Sequence, residues 1–197
     1  MGIMTADAAP SALNVVSLSG SLSSPSTTAT LLERIVDEFG RHLDVTTTAV
    51  ELHPLAVDLA HALTGGETSD AVTEALTAVA SADVLVVATP IYRGSYTGLL
   101  KQFIDLLHQD ALIGTPVLLA AGGGNDQHSL AIDHELRPLF AFFRAAVLPV
   151  GVYARPFDFA ADKSVSADGA LPAAIERAVA AALPLLPSAG RTGGRLT

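Results

Sequence analysis

The sequence predicts a doubly wound α/β sandwich, a parallel β-sheet with helices packed on both faces. Two patterns predict it. Short, nearly continuous apolar runs recur along the chain, as expected of strands covered on both sides. Between them lie stretches whose apolar residues repeat at helical spacing, and strand–helix alternation of this kind builds parallel sheets. Length sets the scale: 197 residues make one domain with a core that needs no staples.

Taken in order, residues 1–12 (MGIMTADAAPSA) hold neither a basic stretch nor an apolar run. They are expected to be a flexible leader and not a signal peptide. Asn14–Leu18 (NVVSL) reads as the first strand and ends at Ser19-Gly20-Ser21. Thr28–Phe39 places Leu31, Leu32, Ile35, Val36 and Phe39 on one helical stripe. Val45–Val50 (VTTTAV) centres on threonines and suits a sheet edge. Ser69–Ala80 starts on a capping serine and repeats Val72, Ala75, Leu76 and Val79. Val84–Thr89 (VLVVAT) is the third strand, and Gly98–Leu107 the helix after it. Pro116–Ala121 (PVLLAA) is the fourth strand, followed by three glycines. Leu130–Ala145 reads as one long helix that Pro138 should kink. Val147–Tyr153 (VLPVGVY) is the fifth strand, Pro172–Leu186 an Ala-rich closing helix, and 187–197 a flexible tail. The domain is therefore expected over 13–186.

Composition narrows the function. The 11 basic and 20 acidic residues leave a net charge of −9, which argues against nucleic acid or an anionic membrane as partner. No apolar run approaches the roughly 18–20 residues of a membrane span. With no cysteine, thiol nucleophiles, Fe–S clusters and Cys-zinc sites drop out, and a cytoplasmic location is expected. Half the residues are hydrophobic and 16% are charged, against about 25% in ordinary domains, so some apolar surface should be covered by a second copy of the chain.

In a doubly wound sheet the ligand sits beyond the carboxyl ends of the strands, which directs attention to three loops. The first runs from Ser19 to Thr28 and opens a helix, where free amides and the helix dipole favour an anion. The hydroxyls of Ser21, Ser26, Thr27 and Thr28 could donate to a phosphate, or could simply cap the helix and fill the turn. No Lys or Arg occurs in residues 1–33, and both the Walker pattern and a GxGxxG fingerprint are missing at this strand. A bound phosphate would rest on neutral donors. The second loop, Thr89–Gly98, joins a stiff Pro90 to Tyr92, Gly94 and Tyr96, and the tyrosines suit either a planar ligand or half-buried packing. The third, Gly122–His128, has glycines that would let a ligand touch backbone, or that make a plain flexible turn.

The pattern Gly20-Ser21, Ser26, Thr28, the segment TPIYRGSYTGLLKQFIDLL (89–107) and the segment GGGNDQHSLAIDHELRP (122–138) together resemble the NAD(P)H-dependent FMN reductases of the flavodoxin-like superfamily. They are most similar to the flavin-supplying reductases of two-component alkanesulfonate and methanesulfonate monooxygenase systems. The resemblance runs through most of 14–157. It implies a flavodoxin-like fold of five parallel strands ordered 2-1-3-4-5, with hydride transfer from NADPH or NADH to FMN. It also implies a partner flavin-dependent monooxygenase and a homodimer or homotetramer.

Residue by residue, the resemblance implies that Ser19, Ser21, Ser26, Thr27 and Thr28 hold the FMN phosphate. Pro90, Ile91, Tyr92, Arg93 and Gly94 would lie along the isoalloxazine ring and ribityl chain. Gly123, Gly124 and Asn125 would wrap the ring's polar edge, and His128 would donate to flavin or cap the next helix. Ser23 stands where many such reductases carry Arg, and Thr28 where they often carry Asn. In that family the segment around His134 lies at a tetramer interface near the flavin, and some members carry a π-helix there. His134 and Tyr96 are therefore interface or flavin-transfer candidates, although an exposed helical histidine is often only a surface residue. His42, His53, His61 and His108 have no ligand-like spacing, so no metal site is expected, and no GxSxG elbow supports Ser-His-Asp hydrolysis. Hydride transfer is the cofactors' chemistry, so no catalytic acid or base is nominated. Two alternatives share the fold: a reductase that retains FMN and reduces quinones or azo compounds, and a non-enzymatic FMN electron carrier.

Overall fold

The computed structural model describes residues 12–187. Apart from Ala12 and Pro187, the expected leader and tail lie outside the described residues. Strands form where the apolar runs stand: β1 (Leu13–Ser19), β2 (Val45–Glu51), β3 (Val84–Pro90) and β4 (Pro116–Gly122). β3 and β4 are buried along almost their whole length, while β2 leaves its threonines exposed at the sheet edge. Every pairing is parallel, in the order β2-β1-β3-β4.

The outer neighbour of β4 departs from expectation. In place of one strand over 147–153 there are two short ones, β5 (Ala146–Val147) and β6 (Val152–Ala154), both paired with β4. The sheet thus counts six strands in five positions. Between the two pieces Pro149 has no amide to give. Gly151 lies so close that a Cβ would meet Ile132 Cγ2 at 2.8 Å and the Leu119 carbonyl at 3.1 Å.

Alternate strand residues point to opposite faces and build two cores. Val15, Val84, Val86, Leu118 and Ala120 pack with α1 (Thr27–Gly40) and α6 (Ala170–Ala182). Val16, Leu18, Leu85, Val87, Val117 and Leu119 pack with helices of the other face. Those are α2 (Ala56–Leu63), α3 (Asp70–Ala80) and α4 (Gly98–Leu106). α2 was not foreseen. Ser26, Ser69 and Thr97 cap α1, α3 and α4, accepting the amides of Ala29, Val72 and Leu100 at 3.1, 3.3 and 3.2 Å.

The long helix expected over 130–145 is a composite. A 3-10 turn (Asp126–Leu130) leads to a π-helix (Ile132–Leu136), and α5 (Arg137–Phe142) follows. Pro138 supplies the physical reason, since it has no amide for the His134 carbonyl that an α-helix would pair with it. The Arg137 amide reaches five residues back to the Ile132 carbonyl instead. Pro184 likewise ends α6 early, leaving a 3-10 turn over Leu183–Leu185. Among the described residues no helix is long and apolar enough to cross a membrane.

Candidate functional site

Because all strands run the same way, their carboxyl ends share one rim. Register places Ser19 beside Ala88, Pro90 beside Gly122, and Gly122 beside Ala154. The chain leaves β1 toward β2 and returns to β3 on the other side of β1, so the loops after β1 and β3 part at the topological switch point. All three sequence-predicted loops meet on this rim.

In the first loop Ser19, Ser21, Ser26 and Thr28 are buried, and Thr27 is exposed. Ser21 Oγ donates to the Ser23 carbonyl at 3.0 Å and accepts the Ser23 amide at 3.3 Å, folding the turn on itself. Ser26 Oγ accepts from Ala29, which leaves its own hydrogen free to point outward. The amides of Thr27 and Thr28 lie in the first turn of α1, where no intrahelical acceptor exists. The Ser24–Pro25 peptide is cis. This cluster of hydroxyls and amides fits a phosphate group.

The second loop is a tight two-residue hairpin. Tyr92 and Ser95 exchange backbone hydrogen bonds at 3.0 and 3.3 Å across Arg93 (φ 54°) and Gly94 (φ 85°). Positive φ at both central positions defines a type I′ turn, which asks more of Arg93 than of glycine. Tyr92 is 53% exposed, whereas the Ile91 side chain is buried and the Ile91 amide donates to the Gly122 carbonyl at 2.7 Å. Of these two, Tyr92 therefore offers a face and Ile91 only backbone. Tyr96 packs partly into the core. Ser95 Oγ donates to Glu135 Oε2 at 3.0 Å, linking this loop to the π-helix.

The third loop is held from the β6 side. Gly123 donates its amide to the Ala154 carbonyl at 3.1 Å, and Tyr153 Oη donates to the Asn125 carbonyl at 2.5 Å. Burial pushes the Tyr153 hydroxyl above its usual range, and the nearby Asp126 adds to the shift, so it stays a donor. Gly123 is required by packing: a Cβ there would meet Tyr153 Oη at 2.4 Å and His128 Cβ at 2.8 Å. Gly124 faces open space. Asn125 Oδ1 accepts the His128 amide at 3.3 Å, and His128 Nδ1 is buried without a hydrogen-bond partner. His128 thus sits inside a capped turn and does not cap the helix that follows. His134 is exposed on the π-helix, beside an Asp133–Arg137 ion pair at 2.9 Å.

Residue-type reasoning passed over the pair that joins the first two loops. Thr89 and Thr97 are both fully or almost fully buried. Thr97 Oγ donates to the Gly20 carbonyl at 2.7 Å while its amide donates to Thr89 Oγ at 3.2 Å. A Cβ on Gly20 would sit 3.2 Å from Thr89 Oγ and 3.0 Å from Leu100 Cβ. Glycine there lets the first loop lie directly on the second. Among the described residues no group of metal-ligating side chains is brought together.

The profile of the NADPH-dependent FMN reductase family matches residues 13–160. The chain is 49% identical over 173 residues to an NADH-dependent FMN reductase, SfnE, of Pseudomonas putida, covering 88% of this chain and 92% of the relative. It is 46% identical over 149 residues to an FMN reductase (NADPH) of Pseudomonas aeruginosa, covering 76% and 80%. An oxidoreductase from Corynebacterium diphtheriae superposes with a TM-score of 0.79 at 35% identity, covering 89% of this chain and 97% of that one.

Proposed function

Because this chain belongs to the NADPH-dependent FMN reductase family, we propose that it reduces FMN with NADH or NADPH on the rim described above and passes the reduced flavin to a flavin-dependent monooxygenase. The observation that carries the placement is the cluster of buried hydroxyls and first-turn amides at the β1/β3 switch point. FMN, when bound, supplies the ring that accepts hydride from the nicotinamide. The chain's residues hold and orient. Ser19, Ser21, Ser26, Thr27 and Thr28 take the phosphate through neutral donors. Pro90–Gly94 form a stiff wall along the ring and ribityl chain, with Tyr92 as its exposed face. Gly123, Gly124 and Asn125 present backbone toward the ring's polar edge, with His128 behind them. The reaction would take place in the cytoplasm.

The working form is a homodimer or homotetramer. Leu130 is 58% and Phe142 68% exposed on the composite segment that also carries His134, while Ile132, Leu136 and Phe140 face the core. Covering those two side chains is the contribution a second copy makes. α4 makes no such contribution, since its Leu99, Leu100, Phe103 and Ile104 are buried within the chain itself. The interface therefore centres on 130–142, with Tyr96 at its margin.

Steady-state oxidation of NADH and NADPH with FMN, FAD and riboflavin as acceptors tests the activity. Saturable dependence on added FMN is expected. Turnover that ignores added flavin but reduces quinones or azo dyes would favour the flavin-retaining alternative.

A further inference from the structure

We infer that Lys163 supplies the positive charge that the phosphate end of the flavin site otherwise lacks. The inference rests on the FMN placement above and deepens it. With no Lys or Arg in residues 1–33, the first loop offers a phosphate dianion neutral donors and a helix dipole alone. The fold brings a cation to it from the far end of the chain. Lys163 Nζ donates to the Pro25 carbonyl at 2.6 Å, one residue before the Ser26 cap of α1. An ammonium has three donors, so two stay available beside the cluster of Ser26, Thr27 and Thr28.

The turn that carries Lys163 is built to hold it there. Phe159 and Val165 bridge antiparallel beneath it. The Ala160 amide donates to the Ser164 carbonyl at 2.8 Å, and the Lys163 amide to the Ala160 carbonyl at 2.9 Å. The neighbouring carboxylate of Asp162 accepts from Ser164, amide at 3.0 Å and Oγ at 2.6 Å, and so is turned to its own turn. Lys163 itself has φ 67°, a left-handed conformation that a lysine keeps only where its surroundings impose it. An exposed lysine–carbonyl bond contributes little to folding. Its value is greatest for an anion on the same loop, since charge-assisted contacts to phosphate are the strong ones.

The test compares FMN with riboflavin, which lacks the phosphate, by equilibrium dialysis against the oxidised protein. Lys163→Gln should weaken FMN about five- to tenfold and leave riboflavin unchanged, while Lys163→Arg stays within about twofold of the parent. Lys163→Gly, which also relieves the positive φ, should repeat the glutamine result and so guards against a folding effect. Raising salt from about 0.05 to about 0.5 M should erode FMN binding more in the parent than in Lys163→Gln. Unchanged FMN affinity in both neutral variants, or equal losses for FMN and riboflavin, would overturn the inference. If Ser26→Ala with Thr28→Ala still separates FMN from riboflavin in that case, the phosphate site survives and Lys163 alone is dismissed. A parent that binds both flavins equally would take down the phosphate site and the inference together.

Discussion

Thr97 ties the loop after β1 to the loop after β3, and replacing it with valine removes that tie at nearly constant volume. The side chain and amide of this residue make three hydrogen bonds: its hydroxyl donates to the Gly20 carbonyl and accepts the Leu100 amide, and its amide goes to Thr89. Valine keeps the last and loses the first two. Losing an N-cap costs about 1 kcal/mol. Leaving a buried carbonyl unpaired costs about 1–3 kcal/mol, and the site is buried enough to exclude easy rescue by water. Thr97→Val should therefore lower unfolding free energy by about 2–4 kcal/mol, a large share of the 5–15 kcal/mol typical of a domain. Thr97→Ser, which keeps the oxygen, should lose less than about 1 kcal/mol. Urea unfolding followed by circular dichroism measures this as a shift in midpoint at unchanged slope. FMN affinity should fall with stability in the valine variant, because the loop after β1, proposed to hold the phosphate, loses its anchor to the loop after β3. A valine variant as stable as the parent, binding FMN equally well, would refute the reasoning.

Other outcomes follow from the same geometry. Replacing Ser26 and Thr28 together with alanine should weaken FMN by about 1–3 kcal/mol and leave riboflavin alone, which titration with both flavins reads directly. Gly123→Ala forces a methyl onto Tyr153 Oη and His128, and should cost about 1–3 kcal/mol of stability in thermal unfolding. Adding Tyr153→Phe to that variant should return part of the loss. Light scattering at micromolar concentration should give a mass that is a multiple of the 20.2 kDa chain, and Phe142→Asp should lower it.

Much of the fold was legible because burial on both faces writes itself as uninterrupted apolar runs, as in VLVVAT and PVLLAA. The capping serines Ser26 and Ser69 were equally local signals. What escaped depended on tertiary contacts or on short segments. The break between β5 and β6 comes from Pro149 and from the crowding of Gly151 by Ile132, nineteen residues earlier in the chain. α2 spans eight residues behind a proline-containing 3-10 turn, too short for a firm periodic signal. Pro138 announced irregularity in its helix, but the π-helix could be stated from the residues alone only as a family trait. Within the site, the serine and threonine cluster was readable from its place after a strand. The Thr97–Gly20 bond spans 77 residues and the Lys163–Pro25 bond 138, and neither side chain carries a motif that names its partner. Local chemistry was visible; the ties between loops were not.

Whether flavin is held or released separates flavin supply from the flavin-retaining alternative. On the proposed placement the phosphate would rest on neutral hydroxyls and amides with one exposed lysine at its edge, and the ring would face a 53% exposed tyrosine. Such a site favours a flavin that comes and goes. Equilibrium dialysis of the oxidised protein against FMN, with the dialysed protein then assayed for NAD(P)H oxidation, measures this directly. Flavin supply predicts a colourless protein after desalting, a dissociation constant of about micromolar order, near 8 kcal/mol of binding, and turnover only when FMN is added back. A protein that stays yellow through desalting, with a dissociation constant far below micromolar and flavin retained during turnover, would contradict it.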